Sequence, residues 1–178
     1  MTRPEGSLAP EGEFRQQLLA MIPHLRAFAR GLCGKPDQAD DLVQETAIRA
    51  WAARSSFAEG TNFRAWTFRI MRNYFLNELR RNRRETELDE ETENSLVSPA
   101  SQEHTVHVSD LQIALAKLPE ERREALLLVG AGGFTYEEAA DICGVATGTM
   151  KSRVARGRAT LAELLEGKDD ATITVQAG

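Results

Sequence analysis

The sequence has little of what catalysis or metal binding requires. It contains two cysteines and three histidines in 178 residues. Cys33 and Cys143 lie far apart, each inside an apolar helical pattern, so we expect two buried free thiols rather than a redox pair or a metal site. His24, His104 and His107 form no constellation with a nucleophile, and the His104–His107 spacing has no third ligand nearby. We therefore expect no enzyme, no cofactor and no metal ion.

Long apolar runs are also absent. No segment approaches the ~18 apolar residues of a membrane span. The N-terminus lacks the basic and then apolar pattern of a signal peptide. The sequence therefore predicts a cytoplasmic protein with no membrane insertion.

The charge of the chain is unevenly distributed. Its net charge of -5 argues against nucleic acid as a partner, but residues 62–84 carry seven arginines against one acid, a local charge of +6. Six acids follow between Glu85 and Glu93 without one basic residue. This acidic segment cannot bury enough apolar surface to order itself. It is interpreted either as a solvated tether or as a decoy that covers a basic DNA-binding face.

Apolar residues recur at helical spacing, and no strand pattern of any length appears. The sequence predicts an all-α fold of two small helical domains joined by an acidic flexible linker. The expected boundaries are a disordered N-terminus (1–12), a first domain (13–84), the linker (85–108), a second domain (109–167) and a disordered tail (168–178). Pro23 is expected to break the first helix in two, and Asp37 is expected to cap the next.

The strongest local motif runs from Thr135 to Leu161. Thr135 and Glu138 match a capping box. Ser109 and Gln112 match another one earlier in the second domain, and Pro119 suits the first position of the helix that follows. A short helix, a glycine-containing turn and a longer basic helix then predict a helix-turn-helix. The alternative is a helical hairpin with a solvated basic face.

The arginine-rich helix of the first domain, residues 62–84, also carries aromatic side chains. Arginines interleaved with rings are typical of proteins that bind single-stranded or partly melted nucleic acid. The alternative places most of the rings, including Trp66 and Tyr74, in the hydrophobic core.

Four motifs in order resemble a known family: DDLVQETAIRAW (40–51), FRAWTFRIMRNYFLNELRRNRR (63–84), LPEERREALLL (118–128) and the helix-turn-helix. They resemble the extracytoplasmic-function (group 4) sigma factors of the sigma-70 family. The resemblance implies that the first domain is sigma region 2 and the second is sigma region 4. It implies a protein that binds core RNA polymerase and directs promoter-specific transcription initiation, with region 2 recognising and melting the -10 element and region 4 recognising the -35 element.

The resemblance also implies roles for individual residues. Those matching the polymerase-docking face are Asp41, Gln44, Glu45 and Arg49. Those matching the pocket for a flipped -10 base are Ala53, Phe57, Arg69, Ile70 and Asn73, and those placed to hold the neighbouring DNA are Asn77, Arg80, Arg81 and Arg84. For the -35 element, the matching base-reading positions are Lys151, Ser152, Ala155 and Arg156, while Arg153 and Arg158 suit phosphates. Thr147 and Thr149 stand at a helix start that suits a phosphate on physical grounds.

Two departures from the family pattern are Ala146, where many relatives have proline, and Gly157 inside the recognition helix. Glycine there costs about 1 kcal/mol relative to alanine, and it either permits close backbone approach or weakens the helix.

Segments such as LRAFARGL and the acidic linker are similar to the EcfG-type subgroup of the general stress response. That similarity implies a stress regulon and a small helical anti-sigma protein that clamps both domains. The free protein is expected to be a monomer. A stand-alone helix-turn-helix regulator is the rival, but it usually dimerises and would leave the first domain without a role.

Overall fold

The structure, a computed structural model, describes residues 11–58, 60–90 and 110–175. Within these ranges the chain forms α-helices and no β-strand, which confirms the all-α prediction. The helices are α1 (Glu11–Cys33), α2 (Pro36–Ala52), α3 (Phe63–Glu90), α4 (Asp110–Lys117), α5 (Glu120–Leu126), α6 (Tyr136–Cys143) and α7 (Thr147–Val175). We call α1–α3 the first block and α4–α7 the second block.

Helix α1 passes through Pro23 without a break, so the prediction of two helices was wrong. Proline removes the hydrogen bond to the carbonyl of Leu19, but Leu19 and Pro23 are both exposed. That carbonyl therefore lies on the solvent side of the helix. Leu18 before the proline and Leu25 after it are both buried. Packing on both sides of Pro23 keeps the two halves in one helix.

The start of α2 also differs from the prediction. Lys35 occupies the capping position without a side-chain cap, Pro36 takes the first position, and Asp37 lies in the first turn. An acid in the first turn still interacts favourably with the positive end of the helix dipole. At the start of α3, the Asn62 side chain accepts a hydrogen bond from the amide of Ala65 at 3.0 Å.

The predicted helix-turn-helix is present. Thr135 and Glu138 form the capping box: the Thr135 hydroxyl accepts from the Glu138 amide at 3.2 Å, and the Glu138 carboxylate accepts from the Thr135 amide at 2.9 Å. Gly144 ends α6 with a φ of 66°, a left-handed conformation that glycine adopts without strain. Helix α7 then begins at Thr147. Pro119 precedes α5 as its N-cap rather than occupying its first position.

The ends of the predicted domains fall partly outside the described residues. The parts that lie outside the described residues are 1–10, the linker from 91 to 109, which includes Ser109, and 176–178. Where the backbone is described, α3 continues past Arg84 to Glu90 and α7 continues past Leu165 to Val175. The domain boundaries themselves stay a prediction.

One hydrophobic core joins the two blocks. It contains Phe28 of α1 and Phe68 of α3 together with Leu128, Ile142 and Met150 of the second block. Phe68 and Phe134 meet edge to face across the junction, with ring centroids 5.0 Å apart. A second, smaller cluster lies within the first block around Phe14 and Phe57. The two helical units are thus packed on each other.

Candidate functional surfaces

The predicted polymerase-docking residues lie on the polar side of α2. Asp41 and Gln44 are exposed, and Glu45 and Arg49 form an ion pair of 2.7 Å. The guanidinium of Arg49 also stacks over the ring of Tyr74, 4.5 Å from its centroid. The opposite side of the helix is buried through Leu42, Val43, Thr46 and Ala50. This face therefore combines acidic, amide and cationic groups on a helix that is fixed by its apolar side.

Sequence reasoning missed Ile48 on the same helix. Its side chain is 56% exposed, and it follows Gln44 by one helical turn. The sequence feature that could have identified it is its position, since Ile48 does not fall on the apolar stripe of α2 that is buried in the core. It is a single exposed apolar side chain within a polar face.

Four residues predicted for the -10 element line one concave surface between α2 and α3. They are Ala53, Ile70, Asn73 and Asn77, with Arg49, Ala52 and Tyr74 completing the lining. Asn73 and Asn77 are exposed and lie one turn apart on α3. The surface therefore offers an apolar wall and two amides, groups that can stack on a base and hydrogen-bond to its edge.

The two other residues predicted for that pocket do not line it. Phe57 is 7% exposed and packs against Phe14, Phe63 and Trp66, with ring centroids 5.1–6.3 Å away. In this arrangement its ring is a core contact and has no free face for a base. Arg69 turns toward the second block and forms an ion pair with Asp141.

The arginines at the far end of α3 remain at the surface. Arg80, Arg81 and Arg84 are exposed, and Arg81 pairs with Glu78 at 2.9 Å. The aromatic side chains of the same helix pack into the hydrophobic core, as the second interpretation of this helix predicted. Phe68 is fully buried, and Trp66 and Tyr74 are partly buried.

The exposed face of α7 contains most of the residues predicted for the -35 element. Thr149, Lys151, Ala155, Arg156 and Arg158 are exposed, and Thr147 and Ser152 are partly so. The buried side of the helix holds Met150 and Val154. The helix thus presents one cationic face outward while its apolar side is fixed against α5 and α6.

Arg153 and Gly157 face inward instead. The Arg153 guanidinium pairs with Glu121 of α5 at 2.8 Å, and its side chain is 19% exposed. Gly157 is buried, and a Cβ built there would meet Leu126 at 3.0 Å and the carbonyl of Arg122 at 3.3 Å. Glycine at this position therefore permits the close approach of α5 to the recognition helix.

The two cysteines are free. Burial raises the pKa of the Cys33 thiol to about 11. Burial and then the charge of Glu124 raise the pKa of Cys143 to about 12. Both thiols are protonated at neutral pH, which makes them poor nucleophiles and poor metal ligands.

The described residues form neither a metal-binding cluster nor a membrane-spanning helix. No three or more acidic, histidine or cysteine side chains among them come together as metal ligands would. Within 11–58, 60–90 and 110–175, no helix combines the length and apolar character needed to cross a bilayer.

Both blocks match families of known proteins. Residues 19–85 match sigma-70 region 2, and residues 110–161 match sigma-70 region 4. The chain is 50% identical over 159 residues to the ECF RNA polymerase sigma factor EcfG of Rhodopseudomonas palustris (strain TIE-1), and the match covers 88% of each chain.

Two solved structures resemble the fold. The sigma factor RpoE, in its complex with the anti-sigma factor NepR from Bartonella quintana, is 46% identical, with a TM-score of 0.74 over 86% of this chain and 97% of that one. CnrH, in complex with the cytosolic domain of CnrY, is 28% identical, with a TM-score of 0.66 over 89% and 91% of the two chains. The motifs, the two matched regions and these relatives agree, and the chain belongs to the extracytoplasmic-function sigma factors of the sigma-70 family, which direct RNA polymerase to promoters.

Proposed function

We propose that this sigma factor divides promoter recognition between its two blocks, with the first block reading the -10 element and the second block reading the -35 element. The observation that carries the proposal is the concave surface lined by Ala53, Ile70, Asn73 and Asn77, since residues from two helices converge there. A flipped base requires stacking and edge hydrogen bonds that offset a few kcal/mol of unstacking. The apolar and amide groups of this surface can supply both.

Core polymerase binds the polar face of α2 in this proposal. Asp41, Gln44, Glu45 and Arg49 supply the polar contacts, and exposed Ile48 adds an apolar contact among them. The exposed arginines of α3 follow the DNA away from the pocket: Arg80, Arg81 and Arg84.

The recognition helix α7 enters the major groove. Lys151, Ser152, Ala155 and Arg156 read base edges, and Arg158 contacts phosphate. Arg153 has a different role in the free protein, because Glu121 already holds its guanidinium. Its contribution to DNA binding requires that this ion pair be exchanged for a phosphate.

The protein acts as a cytoplasmic initiation factor without catalysis of its own, and a small anti-sigma protein controls it. Support for the control comes from the similar structure of the sigma factor RpoE, which is in complex with the anti-sigma factor NepR. The likeness to an EcfG protein supports a stress regulon.

Run-off transcription tests the proposal. Core polymerase with the purified chain is expected to give a transcript from a promoter of the regulon, and the double variant Asn73→Ala, Asn77→Ala is expected to lose it while still binding core. Tight, promoter-specific duplex binding by the chain alone, with no transcript on adding core, would instead indicate a stand-alone regulator.

A further inference from the structure

The concave surface between α2 and α3 contains a cation that does not come from the arginine-rich helix. Among the described residues that line it, Arg49 of α2 alone carries a charge, and the polar groups beside it include the amides of Asn73 and Asn77. Arg69, which the family motif places in this pocket, is paired with Asp141 of the second block instead. The positive charge of the surface is therefore supplied by α2.

Arg49 lies where two surfaces of α2 meet. Ala52 and Ala53, which also line the concave surface, follow it by three and four positions, and Glu45 of the docking face precedes it by four. Residues at these spacings are neighbours on one side of a helix. The family motif assigns Arg49 to polymerase docking, but its position also places it at the edge of the surface proposed for the -10 base.

Two contacts orient the guanidinium of Arg49 without burying it. Its Nε lies 2.7 Å from Oε1 of Glu45, and its central carbon lies 4.5 Å from the centroid of the Tyr74 ring. A glutamate four positions before a cation is the favourable order on a helix, and an arginine over an aromatic face is attracted to the ring. The side chain is nevertheless 52% exposed. The head group is thus held in one place and stays accessible to a ligand.

The remaining donors of this guanidinium are available. Arginine has five N–H donors, and the Nε donor is directed at Glu45. In the described part of the chain, the two terminal nitrogens of Arg49 have no hydrogen-bond acceptor. A guanidinium binds two phosphate oxygens through parallel hydrogen bonds. A base is flipped by rotation about its backbone, so the phosphates beside it remain at the edge of the pocket, where Arg49 lies.

We propose that Arg49 binds the backbone phosphate beside the base that enters the concave surface, besides the docking role proposed for it above. Asn73 and Asn77 hydrogen-bond to the edge of the base, and Arg49 holds the strand so that the base stays in place. A phosphate contact carries no sequence information, so Arg49 strengthens -10 binding without selecting a base. The proposal rests on the assignment of the concave surface to the -10 element.

The test uses holoenzyme assembled with excess core polymerase, so that a lower affinity for core does not limit DNA binding. The probe is a fluorescent promoter fragment that gives the run-off transcript and is held open at the -10 element by mismatched bases. Arg49→Ala is expected to bind it about tenfold more weakly, the size of one hydrogen-bonded charge contact. Arg49→Lys keeps the charge but not the paired hydrogen bonds, and its affinity should lie between the two.

The salt dependence of binding identifies the contact as one to phosphate. Loss of one phosphate contact to a single strand lowers the slope of log affinity against log salt concentration by about 0.7. Arg49→Ala should show this lower slope, whereas Arg49→Lys should keep the slope of the parent chain.

Arg26→Ala is the matched control. Arg26 of α1 pairs through Nε with Asp40 at 3.0 Å and is 47% exposed, so its replacement removes an arginine of similar pairing and exposure from the first block. Arg26 does not line the concave surface. Its variant should keep both the affinity and the salt slope of the parent chain. Circular dichroism of every variant checks that it is folded.

The outcomes separate this proposal from the proposed function. Equal weakening by Arg49→Ala for the parent -10 sequence and for fragments with one substituted -10 base supports a phosphate contact, whereas lost discrimination would show base reading and overturn it. Parent-like DNA binding by Arg49→Ala would also overturn it. If the Asn73→Ala, Asn77→Ala double variant still binds weakly in that case, only the role of Arg49 fails. If the double variant binds like the parent as well, the concave surface is not the -10 site and the proposed function fails too.

Discussion

Gly157 and Leu126 are in direct contact where the recognition helix crosses α5. A Cβ at position 157 would lie 3.0 Å from both Cγ and Cδ1 of Leu126, closer than carbon atoms pack at their optimal separation. The carbonyl of Arg122 stands behind it at 3.3 Å. A methyl group at position 157 therefore requires Leu126 and the backbone of α5 to shift by a few tenths of an ångström.

Gly157→Ala is therefore expected to destabilise the protein. Alanine is the better helix former by about 1 kcal/mol, but the overlap with α5 costs about 1–3 kcal/mol as other overpacked sites do. Gly148→Ala is the control, because Gly148 lies on the same helix with nothing within 4 Å of an added Cβ. Urea denaturation should show a lower midpoint for Gly157→Ala only. Stabilisation of both variants would mean that α5 moves aside without cost.

Ile48→Ala is expected to weaken the binding of core polymerase. Losing most of a buried isoleucine side chain at an interface costs about 1–2 kcal/mol, close to tenfold in affinity. Leu19→Ala is the control, because Leu19 of α1 is 59% exposed and lies outside the proposed face. Both variants should unfold at the parent midpoint, since neither side chain is in the core. A pull-down with equal retention of both variants would exclude Ile48 from the interface.

Arg156→Ala is expected to weaken -35 recognition by about 1–3 kcal/mol without reducing core binding, because the guanidinium is exposed on the groove face of α7. Arg30→Ala, which removes an exposed arginine from α1, should leave recognition unchanged. Footprinting of the holoenzyme measures the first effect and a pull-down with core measures the second. Equal losses in both assays would indicate an unfolded second block.

Raising the pH above 9 is expected to reduce the stability of the fold. The ordinary pKa of a cysteine thiol is 9.0, and burial raises the pKa of Cys33 to about 11. Burial and then the charge of Glu124 raise the pKa of Cys143 to about 12. The unfolded chain loses thiol protons first, so stability is retained below pH 9 and falls as the pH rises toward 11 and 12. Urea denaturation from pH 8 to about 10.5 should show this loss. Cys143→Ala should reduce the slope of the free energy of unfolding against pH. An unchanged slope would show that other groups cause the loss of stability.

Sequence reasoning identified the helices that carry local signals. The capping box of Thr135 and Glu138 and the glycine at 144 set the helix-turn-helix through contacts within a few residues. It failed where the outcome depends on distant packing. Pro23 stays inside α1 because Leu18 and Leu25 are both anchored, and no local pattern contains that information.

The candidate site shows the same limit. Ala53, Ile70, Asn73 and Asn77 come together because α2 and α3 pack side by side. Phe57 and Arg69 match the same family motif, but their side chains point elsewhere. Phe57 packs in the aromatic cluster of the first block, and Arg69 pairs with Asp141 of the second block. A motif predicts where a residue lies on its helix, but the partner of its side chain depends on how distant segments pack. Arg72, for example, pairs with Glu124, fifty-two positions later in the chain.

The close approach of Gly31 of α1 to Leu127 of the second block, in the core that joins the two, limits how freely the two regions can be exchanged between relatives. In a chimera that joins two relatives at the linker, residues 31 and 127 come from different proteins. A residue larger than glycine at position 31 would then overlap a leucine at position 127. Each region can keep its own fold and its own DNA contacts in such a chimera and still lose the fit at the junction. The fit at this junction therefore depends on residue 31 of region 2 and residue 127 of region 4 together.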